Sequence, residues 1–340
     1  MKQYTHAWLA FMAIKRLQTV QIVYKDKADK KKDAEYQEAA AQLVKWFHNY
    51  RDFVIKGAWY PDEVFKDNKT SHVIKYEPIL NEPWQDKRRK LTEQSEMQKF
   101  SAKSPVKDCG FKINSGNCAD RCEAISHSIV DTLKMQFLEE KGSPVIPSSN
   151  HLALRFFILS HYVADCHMPL HCDYRQFSEG SDLHAQIEKN WETQLLKSYS
   201  IDKDNSRFLY DPQGYPLKTS EFTPLMQRVE ENITNRLFSY EWPGGKGTNA
   251  WDYISAVSQH SYLMAYSMFP VDYDMNTKVA QFKKSDIYTN LDDYSFAILS
   301  DAIDSIARVW VHCWHHFLHW SPYLKEQEKL RKYEEWEKEK

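Results

Sequence analysis

Histidine and carboxylate residues recur at helical spacing in one short part of the sequence. The eleven residues 161–171, HYVADCHMPLH, hold three histidines and one aspartate. Residues i and i+4 lie on the same face of a helix, so His161 and Asp165 predict a pair of ligands directed at one point. His184 and Glu188 repeat this spacing a short distance along the chain. Neutral imidazoles and ionised carboxylates that converge are typical of sites for zinc and related metal ions.

Two features connect these pairs. Pro169 is expected to end or kink the first helix, which would turn His171 toward the same place. The loop from His171 to His184 is polar and about a dozen residues long, short enough to bring the second pair nearby. Two further pairs lack such neighbours, and we interpret them as ordinary surface or core pairs: His48 with Asp52, and His127 with Asp131.

The elements that must position these residues are predicted to be helices. Only 9 of the 340 residues are glycine and 14% are aromatic, which favours long helices and a large packed core. Apolar periodicity predicts helices over about 5–24, 33–55, 117–140, 149–168, 181–198, 219–239, 248–268 and 291–320. A segment rich in turn-forming residues, glycine and proline among them, predicts a loop from Gly57 to about Pro83. We therefore expect an all-α, single multi-helix domain over residues 1–324, with 325–340 as a charged helix end or tail. Polar insertions are expected at 86–107 and 199–218.

Composition excludes some classes of protein. The net charge is -2, whereas a protein that binds duplex nucleic acid typically has an excess of basic residues. No apolar run approaches the roughly 20 residues of a transmembrane helix. Without a clear signal peptide the sequence indicates a cytoplasmic protein, or a secreted one if this is a mature form. Six cysteines are too few for a disulfide scaffold, so buried free thiols are expected. The histidines near residues 312–319 alternate with tryptophans, which favours an aromatic core helix.

Three earlier residues extend the pattern. His6 lies at the start of the first predicted helix, Asp62 follows the second in GAWYPD, and His72 follows in SHVIKY. Together with the ligand pairs, these residues resemble the zinc-dependent phospholipase C / P1-type nuclease superfamily, whose central motif reads His-x3-Asp-x5-His and then His-x3-Asp/Glu. Eight ligand positions match in order over residues 6–188, whereas the remainder of the chain matches only in being helical.

The resemblance implies three zinc ions per chain. One would be held by Asp62, His72, His161 and Asp165. A second would be held by His171, His184 and Glu188. The third would be held by His6, a second oxygen of Asp165, and the amino and carbonyl groups of the first residue. That residue is a tryptophan in the family and is Met1 here, five residues before His6 as in the nuclease branch. Because backbone atoms bind the ion, we predict that Met1 can take this place.

The implied activity is hydrolysis of a phosphodiester or phosphomonoester by a water molecule that the metal ions activate. The resemblance gives Asp62 the role of orienting or deprotonating that water. The short loop and Glu188 favour the phospholipase branch, so the expected partner is a phospholipid, with transient contact to a membrane surface. Choline-preferring members have aromatic residues where this chain has Glu63 and Lys69, which argues against choline preference. The alternatives are a nuclease or nucleotidase for single-stranded nucleic acid, and a non-enzymatic helical protein with structural metals.

Elemental analysis of the purified protein should find three zinc ions per chain. Adding a few residues before Met1 should reduce this to two, because the first amino group would no longer reach the third site. A count near one in the unextended protein would contradict the three-ion site. Three ions in the extended protein would contradict the role of Met1.

Overall fold

The computed structural model describes residues 1–23, 30–67, 70–78, 111–138, 146–175, 183–235, 250–269, 273 and 277–318. The described chain is mostly helical, which confirms the all-α class. The α-helices are α1 (Gln3–Val23), α2 (Lys30–Tyr50), α3 (Asp52–Tyr60), α4 (Cys118–Leu138), α5 (Ser149–Asp165), α6 (Pro169–Cys172), α7 (Leu183–Ser198), α8 (Pro224–Asn235), α9 (Ala250–Met268), α10 (Val279–Phe282), α11 (Asp286–Thr289) and α12 (Leu291–Leu318). Two short antiparallel pairs join β1 (Glu77–Pro78) to β2 (Phe111–Lys112), and β3 (Ile201–Asp202) to β4 (Arg207–Phe208).

Helix α1 is a central element of the core. Every residue from 5 to 14 is buried, and the helix packs against α2, α3, α5 and α12. A helix that is apolar on all sides is stable only when neighbours surround it. His6 is the one histidine of this stretch. Its ring therefore lies deep in the protein and is only 1% exposed.

Helix α3 approaches α5 very closely at Gly57. A Cβ atom on Gly57 would lie 2.3 Å from the Cβ of Phe157 and 3.0 Å from the carbonyl oxygen of Leu154. The absence of a side chain is what allows this contact. It brings the residues that follow Gly57 alongside the end of α5 that carries His161.

The loop predicted from Gly57 begins later than expected. Helix α3 continues to Tyr60, and residues Pro61–Phe65 form a π-helix turn that ends at Lys66, which has a left-handed backbone (φ 53°). Glycine and proline indicated a turn in the sequence. Here Gly57 serves helix packing, and Pro61 stands at the start of a helical turn, where its missing N–H costs nothing.

Helix α5 ends at Asp165, and Pro169 begins the single turn of α6, close to the predicted break. The segment after His72 runs beside this turn. The Ile74 amide donates to the carbonyl of His171 (3.1 Å), and the Tyr76 amide donates to the carbonyl of Cys172 (2.9 Å). These hydrogen bonds hold two distant parts of the chain in register, with His72 and His171 near each other.

The remaining predicted segments are partly described. Residues 199–218 contain β3, β4 and several turns. Residues 86–107 and 325–340 lie outside the described residues, as does His319. The histidine-rich part of α12 packs through Trp310, Trp314 and Phe317, which are buried.

Within the described residues, none of the helices combines the length and the apolar character that crossing a membrane requires.

Gly57→Ala should destabilise the protein by about 1–3 kcal/mol, because the added methyl group collides with Phe157. In a helix with free space at this position, the same change would stabilise the protein by nearly 1 kcal/mol. The sign of the change in stability therefore shows whether the close contact is present. Urea denaturation measures the difference. The control is Lys56→Ala, at an exposed neighbouring position, and it should change the free energy of unfolding very little. A stabilised Gly57→Ala protein would contradict the close contact.

Candidate metal centre

Three groups of side chains in the described residues bring potential ligand atoms within 4.8 Å of one another. They are His72, His161 and Asp165; His171, His184 and Glu188; and His6, Asp62 and His161. Each of the eight side chains of the sequence motif thus belongs to at least one of these three groups, and His161 belongs to two. The structure brings together residues from α1, the π-helix turn, the segment after it, α5, α6 and α7.

The first group surrounds one carboxylate oxygen of Asp165. Its Oδ2 lies 2.8 Å from Nδ1 of His72 and 3.2 Å from Nε2 of His161, and these two nitrogens are 3.1 Å apart. Oδ1 of Asp62 lies 3.7 Å from each nitrogen. Four potential ligand atoms therefore converge, and they are the four assigned to the first zinc ion from the resemblance.

Hydrogen bonds on the far sides of the rings determine which nitrogens face this point. Nδ1 of His161 lies 2.6 Å from the carbonyl oxygen of Ala58, which can only accept, so this nitrogen carries the hydrogen. Nε2 of His72 lies 2.9 Å from Oδ1 of Asp67 and donates to it. The other nitrogen of each ring, Nδ1 of His72 and Nε2 of His161, then faces the same carboxylate oxygen of Asp165. These two nitrogens and the carboxylate oxygen could bind one cation together, so the donor set fits a metal ion.

The second group is built by α6 and α7. Nε2 of His184 lies 3.1 Å from Nε2 of His171 and 2.8 Å from Oε1 of Glu188. Nδ1 of His171 is buried, has no hydrogen-bond partner, and lies 3.5 Å from Oδ1 of Asp165. Asp165 therefore connects the second group with the first.

The third group lies at the start of α1. The His6 ring stacks on the His161 ring at a centroid distance of 3.8 Å, and its Nε2 lies 3.5 Å from Oδ1 of Asp165. Both ring nitrogens of His6 are buried without a hydrogen-bond partner. The Met1 amino nitrogen lies 3.1 Å from Oδ1 of Asp165 and 2.9 Å from Oε1 of Glu188. Buried imidazoles rarely remain unsatisfied, so these atoms also fit a ligand role.

The charged residues of the three groups shift each other's pKa values. Burial by itself would lower the pKa of the Met1 amino group, but Asp165 and Glu188 raise it to about 11. Burial opposes ionisation of both carboxylates, yet the amino group and the neighbouring imidazoles hold the pKa of each well below its usual range. Burial, followed by His161, holds the pKa of His6 well below its usual value. Burial raises the pKa of Asp62.

Two acidic residues that the sequence analysis did not select support the centre. Asp67 accepts hydrogen bonds from His72 and from the Tyr162 hydroxyl (2.8 Å). Burial would lower the pKa of His72, but hydrogen bonding and charge from Asp165, together with Asp67, raise it. Nothing in the spacing of Asp67 distinguishes it from other loop carboxylates, so only the structure identifies it.

Glu192 anchors the start of α1. Its carboxylate accepts from the Thr5 amide (2.9 Å), the Thr5 hydroxyl (2.7 Å) and the Tyr4 amide (3.2 Å). It thus satisfies amides that the first turn of a helix leaves unpaired, and it fixes His6 against α7. The sequence contained a signal, because Glu192 follows Glu188 by four residues and so shares its face of the helix.

The two isolated pairs of the sequence do not join the centre. Nε2 of His127 lies 2.7 Å from Glu123, not from Asp131, which pairs with Lys134 instead. His48 lies next to Gln18.

Comparison of the chain with protein-family models, with curated proteins and with solved structures finds no significant match. The family relationship therefore rests on the eight motif residues alone and remains a resemblance.

Asp67→Asn should weaken zinc binding about 10- to 100-fold, because the amide lacks the negative charge that supports His72 as a ligand. Competition against a chromogenic chelator measures the affinity. Asp131→Asn, at an exposed carboxylate, is the matched control and should bind zinc as the unaltered protein does. Equal affinities in all three proteins would show that His72 binds no metal ion or needs no support from Asp67.

Proposed function

We propose that this protein is a zinc-dependent phosphoric ester hydrolase, most similar in activity to a phospholipase C. The observation that carries the proposal is the position of Asp165. Its two oxygens face two different sets of nitrogens: His72 and His161 on one side, and His6, His171 and the Met1 amino group on the other. A carboxylate shared in this way supports several metal ions within a few ångströms of each other.

The composition of the ligand set supports catalysis rather than a structural role. Closed structural zinc sites favour cysteine thiolates, whereas imidazoles and carboxylates are typical of catalytic zinc and of multinuclear sites. When bound, zinc would supply positive charge for the phosphoryl oxygens and would bring the pKa of a water molecule close to neutrality. No serine or cysteine nucleophile is then required.

Asp62 is the carboxylate of the set that is best placed to meet a substrate. Its side chain is 33% exposed, whereas Asp165 and Glu188 are 1% and 9% exposed. It lies 3.7 Å from the nearest nitrogens of His72 and His161, farther than Asp165 does. Asp62 can therefore bind at the edge of the centre and also accept a proton from, or orient, an attacking water.

Exposed apolar side chains beside Asp62 favour a lipid substrate. Val64 and Phe65 stand on the same π-helix turn and are 59% and 41% exposed. Large apolar side chains next to a polar site are typical of surfaces that contact apolar ligands or membranes. The Glu188 carboxylate and the short loop before His184 favour the same branch.

A nuclease or nucleotidase is the alternative that the same site supports. Exposed aromatic rings such as Phe65 also stack on the bases of single-stranded nucleic acid. The net charge of -2 does not oppose this, because bound zinc ions would reverse the local charge. A non-enzymatic protein with structural metals is less consistent with the donor types.

Zinc-loaded protein should hydrolyse phospholipid in mixed micelles and should leave single-stranded DNA intact. Chelation should abolish the activity, and Asp62→Asn should reduce kcat by at least about 100-fold through loss of the carboxylate at the reacting water. Asp131→Asn is the control and should retain full activity. Release of diacylglycerol with its phosphomonoester head group, and release of acid-soluble nucleotide, are measured in parallel.

Hydrolysis of DNA alone would support the nuclease alternative. Hydrolysis of neither substrate by protein that contains its full complement of zinc would favour the structural role and contradict the proposal.

A further inference from the structure

A cluster of buried thiols lies directly behind the candidate metal centre. Cys118 is the first residue of α4, Cys122 lies one turn later, and Cys166 immediately follows the shared carboxylate Asp165. All three are free cysteines and fully buried. Neither the fold nor the proposed hydrolysis accounts for three thiols meeting at this point.

The sulfur atoms of Cys118 and Cys166 are in direct contact. They lie 2.9 Å apart although the residues are 48 positions apart in the sequence. The bond length of a disulfide is about 2.0 Å, so the sulfurs need to approach by only about 0.9 Å. The Cys118 thiol donates to the carbonyl oxygen of Tyr162 (3.0 Å), which fixes its sulfur near the last turn of α5.

The structure on both sides of this contact is held in place. The side chain of Asn117 accepts from the amides of Ala119 and Asp120 and thereby caps the start of α4. The carbonyl oxygen of Cys166 accepts from the hydroxyl of Ser261 (2.6 Å) on α9. The two sulfurs therefore remain opposed without a large rearrangement of either helix.

We propose that Cys118 and Cys166 are a site of covalent modification, where a disulfide forms and joins α4 to the residue after Asp165. The oxidant is hydrogen peroxide, a small neutral molecule. The sulfur of one cysteine attacks a peroxide oxygen and loses its proton, the O–O bond breaks, and a sulfenic acid and one water form. The second sulfur displaces the hydroxyl group as water. Two thiols and one peroxide thus give one disulfide and two waters.

The bond would constrain the segment that carries the shared ligand. It closes a loop that contains most of α4 and all of α5, and a cross-link across so many residues removes much of the freedom of the unfolded chain. It would also hold the peptide after Asp165 against α4. The thiol pair requires neither the metal ions nor the activity proposed above.

Peptide mass spectrometry tests the bond directly. The zinc-loaded protein is treated with hydrogen peroxide, alkylated, and digested with trypsin without reduction. Cleavage after Arg121 places Cys118 and Cys122 in different peptides, so their bonds are distinguishable. We expect the peptide with Cys118 to be joined to the peptide of residues 156–175, and fragmentation to assign the bond to Cys166 rather than to Cys172 of the same peptide. The same linked pair of peptides should appear in Cys122→Ser, the matched control, and should be missing in Cys118→Ser.

Thermal unfolding provides a second measurement. Oxidation should raise the unfolding midpoint of the unaltered protein and of Cys122→Ser by about 5 °C, and should leave Cys118→Ser unchanged. Recovery of both cysteines as alkylated thiols after oxidation of the folded protein would overturn the proposal. A bond from Cys166 to Cys122, or from Cys118 to another cysteine, would overturn it as well.

Discussion

The carboxylate of Asp165 is the interaction on which the candidate site depends. It is 1% exposed and contacts four imidazoles and the first amino group of the chain within 3.5 Å. A buried carboxylate is costly unless cations or hydrogen-bond donors surround it. The helices that carry these partners must therefore meet at the end of α5. The same requirement explains why residues from the start of α1 and from α7 approach a single point.

Close packing of helices provides the rigidity that such a centre needs. The missing side chain of Gly57 lets α3 lie against α5, and the carbonyl of Ala58 then reaches the ring of His161. The π-helix turn after Tyr60 directs Asp62 toward the same ring. π-helix turns are rare and are frequent at functional sites, because the wider turn redirects side chains that a regular helix would point elsewhere.

The buried ring nitrogens of the centre are of two kinds, and the difference is informative. The His72 and His161 rings each use one nitrogen for a neighbour and keep the other for the shared point, whereas His6 has no hydrogen bond at either nitrogen. Buried imidazole nitrogens without a hydrogen-bond partner, both of His6 and Nδ1 of His171, lie beside the shared carboxylate, and they are the best physical argument for bound cations. Two exposed apolar side chains, Val64 and Phe65, stand beside the centre.

Local features of the sequence predicted much of this arrangement. The i, i+4 spacing placed His161 with Asp165 and His184 with Glu188, and Pro169 indicated the break that turns His171 inward. These inferences succeeded because helix geometry and the effect of proline depend on neighbouring residues only. The scarcity of glycine indicated a helical protein for the same reason.

The tertiary structure decided what local spacing does not contain. It extended α3 through the predicted loop, because packing against α5 outweighs the turn tendency of Gly57 and Pro61. It selected Asp67 and Glu192 as supporting carboxylates, and it placed Cys118 against Cys166, since such contacts join residues far apart in the sequence. The sequence by itself determined which side chains have the chemical type and the spacing of metal ligands. Only the packing of the helices determined that their atoms converge and which groups hold them there, because convergence depends on contacts between distant segments.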